Sequence, residues 1–205
     1  MNEQLTIGRR AFLERSLQRA GESAVNTARE QVNRRATHWI RPPFAVDELE
    51  FLLSCTRCGA CTNACPYGLI FSLPARLGAQ VVGTPALDLL NGGCHLCEDW
   101  SCVAACEPGA LNPAGVESGP RLPRIAEVRI DTAACLPYNG PECGACAASC
   151  PVPGAMIWDG GKPRVDPEIC VGCGMCREAC IVEPKAVAVR SWYRRDVSEL
   201  PSTED

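Results

Sequence analysis

The sequence predicts an α+β protein: two small tandem modules of short helices and β-hairpins behind an N-terminal helical arm. Three observations lead there. All sixteen cysteines of the chain fall into four groups of four. Aromatic residues make up only 5 %, and the apolar share of 46 % is swollen by cysteine and alanine, so a core of large side chains would be thin. Finally, 18 glycines and 17 prolines favour loops over long regular elements.

The arm covers residues 1–45. Phe12, Leu13, Leu17, Ala20, Ala24, Ala28 and Val32 recur at helical spacing and predict a helix over residues 2–37. Its apolar face is weak, being mostly alanine after Leu17. Gly8-Arg9-Arg10-Ala11-Phe12-Leu13 resembles a twin-arginine export signal. Such a signal needs an apolar stretch of roughly 7–15 residues behind the arginines. Glu14, Arg15, Gln18, Arg19 and Glu22 interrupt it here, so a cytoplasmic location is expected over periplasmic export. No segment reaches the ~18 apolar residues of a membrane span. The arm reads either as a solvated helix or as a docking helix for a partner, the latter favoured by Arg9, Arg10, Arg15, Arg19, Arg34 and Arg35. Arg41-Pro42-Pro43 closes it, since consecutive prolines cannot continue a helix.

The first module spans residues 46–112. A short helix over residues 47–53 leads into Cys55-x2-Cys58-x2-Cys61-x3-Cys65-Pro66. That spacing wraps three thiolates around one iron–sulfur cubane and sends the fourth to another. Residues 67–93 carry seven prolines and glycines and read as an irregular connection with short pieces of helix. The second group follows as Cys94-x2-Cys97-x4-Cys102-x3-Cys106.

The second module spans residues 113–190, with a polar tail at 191–205. Residues 124–130 are the best strand candidate. The third group is Cys135-x7-Cys143-x2-Cys146-x3-Cys150. A hairpin over residues 155–165, turning at Gly160-Gly161, leads to the fourth, Cys170-x2-Cys173-x2-Cys176-x3-Cys180. Residues 186–190 read as a closing strand.

Disulfide scaffolds scatter their cysteines, and zinc sites draw paired knuckles from separated segments. Four compact sets favour four 4Fe–4S clusters instead. The 20 residues between Cys150 and Cys170 suit one tight hairpin. That favours a sequential arrangement: Cys55, Cys58, Cys61 and Cys106; Cys94, Cys97, Cys102 and Cys65; Cys135, Cys143, Cys146 and Cys180; Cys170, Cys173, Cys176 and Cys150. A nested alternative, pairing group two with three and one with four, also satisfies the spacing. Four complete sets leave His95 no vacancy as a ligand. Trp100, Trp158, Trp192 and Tyr138 read as packing lids over the clusters.

A formal charge of −4, made more negative by anionic clusters, disfavours nucleic acid as a partner. No glycine fingerprint for a nucleotide and no paired acid–base site is present, so the chain reads as an electron carrier or accessory subunit, not an enzyme.

The four groups, with Arg9-Arg10-Ala11-Phe12-Leu13, Ile40-Arg41-Pro42-Pro43-Phe44, Cys55-Thr56-Arg57-Cys58 and Cys97-Glu98-Asp99, resemble the ferredoxin-type accessory proteins of the NapF and NapG/MauM families. The resemblance covers residues 8–190. It implies bacterial-ferredoxin-like modules and electron transfer to a redox protein partner, the candidates being a molybdoenzyme catalytic subunit or a membrane quinol-oxidising subunit. The missing apolar stretch behind the arginines leans toward NapF-like proteins, whereas Gly83-Thr84-Pro85 leans toward NapG. Two rival readings remain: a maturation factor that binds an apo-oxidoreductase, and a permanent iron–sulfur subunit of a larger complex.

Overall fold

The computed structural model describes residues 9–113 and 122–193. The tail beyond Tyr193 and most of the proline-rich bridge before residue 122 lie outside them. Helix α1 is Arg9–Arg35 and runs into a 3-10 turn at Ala36–His38, where Ala36 is fully buried. From Leu17 onward α1 is largely exposed, Leu17 itself at 72 %. It touches the body through Arg29, which pairs with Asp47 at 3.3 Å, and Arg35, whose guanidinium donates to the Gln80 side chain at 2.9 Å.

Helix α2, Glu48–Ser54, starts where the Asp47 carboxylate accepts the Leu49 N–H at 3.2 Å, a side-chain cap for one orphan donor. It buries Phe51 completely. Below it lies a charged centre that composition gave no hint of. Arg41 donates to both oxygens of the fully buried Glu48, to the Thr84 hydroxyl at 2.9 Å and to the Pro85 carbonyl at 2.7 Å. Trp39 Nε1 donates to the same carboxylate at 3.2 Å, and the guanidinium sits 4.4 Å from the centre of the Phe51 ring. The far end of the chain closes this centre. The Glu48 N–H donates to the Tyr193 hydroxyl at 3.2 Å, and the Ser191 hydroxyl donates to the Ala36 carbonyl at 2.7 Å.

Three two-stranded antiparallel sheets follow. Strands β1 (Ile70–Ser72) and β2 (Pro85–Leu87) pair through Ile70 and Leu87, within the stretch expected to be irregular with pieces of helix. A 3-10 turn at Ala75–Leu77 is the helical piece there. Strand β3 (Glu127–Ile130) pairs not with a neighbour in sequence but with β6 (Val187–Arg190), enclosing the third and fourth cysteine groups between them. Strands β4 (Met156–Asp159) and β5 (Lys162–Val165) form the expected hairpin. Among the described residues there are also three very short helices: α3 (Ala60–Ala64) ahead of β1, α4 (Ser101–Ala104) after β2 and α5 (Met175–Glu178) ahead of β6.

One core runs through both halves. Phe51, Ile70, Leu89, Val103 and Leu111 belong to it, as do Ile125, Val128, Val171, Val187 and Val189. Cys61, Cys94, Cys146, Cys173 and Cys176 are buried members of the same cluster. Packing is tightest at Gly172, whose φ of +76° suits glycine and where a Cβ would collide with the Ala126 carbonyl.

Candidate metal centres

The sixteen thiols line four small cavities with mainly apolar walls, four to each. Site I is lined by Cys55, Cys58, Cys61 and Cys106, with Phe51 and Leu111. Site II is lined by Cys65, Cys94, Cys97 and Cys102, with Ile70, Leu87 and Trp100. Site III holds Cys135, Cys143, Cys146 and Cys180 against Leu136, Trp158 and Val187. Site IV holds Cys150, Cys170, Cys173 and Cys176 against Val128, Val152 and Val165.

Local structure explains how each set converges. The x2 loops curl because glycine adopts the left-handed region at their bends: Gly59 at φ +75° leads into α3 and Gly174 at +80° into α5. In both, the third cysteine then enters a helical turn. The x3 gap to the last cysteine is about one turn of helix. Cys61 and Cys65, at the two ends of that turn, therefore enter different cavities, as do Cys102 and Cys106, Cys146 and Cys150, and Cys176 and Cys180.

Burial is the main electrostatic force on these thiols. It pushes Cys102 and Cys176 up to about 12 and Cys173 up to about 11, with neighbouring cysteine charges adding to the rise. Cys61, Cys94, Cys135, Cys146 and Cys170 are raised for the same first reason. Backbone N–H groups work in the opposite direction, from Leu96 on Cys94, Gly172 on Cys170 and Met175 on Cys173. The Leu111 N–H also donates to Cys106 Sγ at 3.4 Å. Cys58 is the exposed exception, lowered first by the Ala60 backbone N–H and then by the Thr56 side chain.

Four soft donors around an apolar cavity, with amides aimed at the sulfurs, fit an iron–sulfur core. Burial disfavours the thiolate at the eight raised cysteines, so loading such a core at these positions releases protons. Among the described residues, no group of three or more Cys, His, Asp or Glu converges as the ligands of a single metal ion do.

The aromatic residues divide. Trp100 and Trp158 line sites II and III, and Trp100 meets Phe44 edge-on at 4.9 Å. Trp192 lines none of these four cavities. It stacks with Arg124 at 4.9 Å on an open groove of about 620 Å³ that reaches Cys170. Tyr138 lines the same groove and donates to the Pro163 carbonyl at 3.0 Å. Neither covers a cage as a lid would. His95 lies flat on Tyr67, ring centres 3.5 Å apart, at the wall of site II. Sequence reasoning also missed the Arg41–Glu48 centre, because Arg41 was legible only as the residue before two prolines.

Among the described residues, no helix is long and apolar enough to cross a membrane. A 4Fe–4S dicluster domain matches residues 127–181 and a 4Fe–4S binding domain matches residues 52–68. The chain is 33% identical to the ferredoxin-type protein NapG of Escherichia coli (strain K12) over 198 residues, covering 89% of this chain and 85% of NapG. It is 34% identical to the methylamine utilization ferredoxin-type protein MauM of Methylobacillus flagellatus over 159 residues, 73% of this chain and 67% of MauM. Identity to the ferredoxin-type protein NapF of Escherichia coli (strain K12) is 33% over 154 residues, 73% of this chain and 84% of NapF. No solved structure matches. Identity above 30% across most of both chains, together with two matched 4Fe–4S domains, makes this chain a member of the ferredoxin-type protein family that includes NapG, MauM and NapF.

Proposed function

We propose that the chain is an electron-transfer polyferredoxin that holds four 4Fe–4S clusters, one in each four-thiol cage, as an accessory to a redox enzyme. The observation that supports this most is the closure of each apolar cavity by one complete set of four cysteines. Site I would use Cys55, Cys58, Cys61 and Cys106, and site II Cys65, Cys94, Cys97 and Cys102. Site III would use Cys135, Cys143, Cys146 and Cys180, and site IV Cys150, Cys170, Cys173 and Cys176. Sites I and II make up the first module, residues 46–112, and sites III and IV the second, residues 113–190. The clusters supply one-electron redox chemistry. The protein supplies thiolates, amide hydrogen bonds and apolar walls that exclude water, and no catalytic site of its own.

The resemblance to the NapF and NapG/MauM families implies a molybdenum nitrate-reductase-type system as the enzyme served, while the relative MauM is named for methylamine utilization. A cytoplasmic location is part of this reading and rests on the charged residues 14–22 behind Arg9-Arg10. Anaerobic reconstitution is expected to load about four irons per cage, the complement of a cubane. In Cys146→Ser, iron and visible absorbance should fall by about one quarter to one half, since the change strikes one cage and disturbs its neighbour. A wild-type chain that saturates near half the expected iron would sink the four-cluster assignment.

A second reading, a maturation factor that binds an apo-oxidoreductase, is favoured by α1. That helix projects 27 residues and is tied down mainly near its end, at Arg29 and Arg35. Removing residues 1–28 leaves those ties and the buried Ala36 intact. Loss of partner capture with unchanged cluster spectra is the expected result. Full partner binding by the shortened chain would remove the arm from any docking role.

A further inference from the structure

Sites I and II are joined twice by a four-residue step, Cys61 to Cys65 and Cys102 to Cys106. Sites III and IV are joined in the same way, by Cys146 to Cys150 and Cys176 to Cys180. A step of one helical turn is about 5.4 Å along the axis, which keeps the members of each pair adjacent. How the two pairs meet is a separate question.

They meet at sites II and IV. The Cys94 N–H donates to the Cys173 carbonyl at 2.7 Å, a residue lining site II bonded to one lining site IV. Among the described residues, this is the one backbone hydrogen bond that crosses between the halves. Side chains reinforce it. The Gly93 N–H donates to the Glu178 carboxylate at 2.8 Å, and the Arg177 guanidinium donates to the Leu90 carbonyl at 3.3 Å. The contact is close enough to demand glycine: a Cβ at Gly93 would lie 2.6 Å from the Met175 sulfur and 2.8 Å from its backbone. Ser191 and Tyr193 also cross between the halves, but they reach the root of the arm and not a cysteine loop.

We propose that the four sites form one line in the order I, II, IV, III, and that the Cys94–Cys173 contact is the junction where an electron crosses between the halves. The proposal rests on the electron-transfer reading above. Sites I and III are then the two ends of the line, and the exposed Cys58 lies at the first. Each step moves one electron and breaks no bond. The donating site is oxidised by one electron and its neighbour reduced by one, a one-electron donor protein feeding one end and an acceptor protein draining the other.

The test is electron paramagnetic resonance of the iron-loaded chain reduced with dithionite. Two double variants isolate the pairs. With sites I and III disabled (Cys58→Ala with Cys143→Ala), the remaining two sites should still broaden one another's signals. With sites II and IV disabled (Cys97→Ala with Cys170→Ala), the remaining two should give narrow, independent signals. Gly93→Val, and as a milder second variant Glu178→Ala, should keep the iron content and lose the interaction between II and IV. Full iron with no interaction between II and IV, or with a strong one between I and III, overturns the line. A wild-type chain that fails to take up iron overturns the electron-transfer reading itself, so the two failures are distinct.

Discussion

Stripping the iron anaerobically with a chelator is expected to abolish the cooperative unfolding transition of the body, not only its colour. The reason lies in the sizes of the elements. Among the described residues, the longest helix beyond α1 is the seven-residue α2, and no strand exceeds four residues. Isolated helices shorter than about 12–15 residues are marginal in water, and a two-stranded hairpin alone is no better. Five of the twenty buried residues of the main core are cysteines, so its centre is sulfur around cavities. Take away what the thiols hold and those cavities must collapse or flood. Structural zinc contributes about 10–16 kcal/mol in small domains that cannot fold without it, and cluster binding is linked to folding in the same way. Circular dichroism during urea titration checks this. The helical signal of α1 can persist, but an apo chain that still melts in one sharp transition would refute the claim.

The second large effect is expected at Arg41. Arg41 is 8% exposed and Glu48 is fully buried, so Arg41→Ala leaves a buried carboxylate with its cation gone. Removing one partner of a buried pair costs about 3–5 kcal/mol, and the Thr84 and Pro85 acceptors lose their donor as well. The double variant Arg41→Met with Glu48→Leu should recover much of that loss, because neither charge is then stranded. Denaturant midpoints of the iron-loaded proteins decide it. A loss below about 1 kcal/mol in the single variant would mean that water reaches Glu48 and the centre is not closed.

What could be read from the sequence followed the range of each interaction. Cysteine spacing is local, so the groups at 55–65, 94–106, 135–150 and 170–180 were evident, whereas which groups share a cage was not, because the gaps between groups admit a nested as well as a sequential pairing. The hairpin at Gly160-Gly161, equally local, announced itself too. Strands β1 and β2 did not, being three residues long, with Pro85 opening the second and Gly78 and Gly83 in the connection between them. For β3 and β6 the strands were legible from their valines and isoleucines, but their pairing was not, because even the nearest pair, Ile130 and Val187, has 56 residues between its members. Arg41 finds Thr84 at a separation of 43 residues, and Glu48 finds Tyr193 at 145. No periodic pattern carries such a contact. The junction at Gly93 was invisible for a related reason: a glycine marks a close approach without naming what approaches.

The contacts of Ser191 with Ala36 and of Tyr193 with Glu48 bear on how the chain is made. During synthesis the first helix leaves the ribosome long before the residues that seat its root. Contacts separated by 155 and 145 positions form late, because the intervening loop must be closed before they return any free energy. The root of the arm therefore reaches its final form only after residues 191–193 have been made, and a partner that recognises that root passes over chains that have not yet reached them.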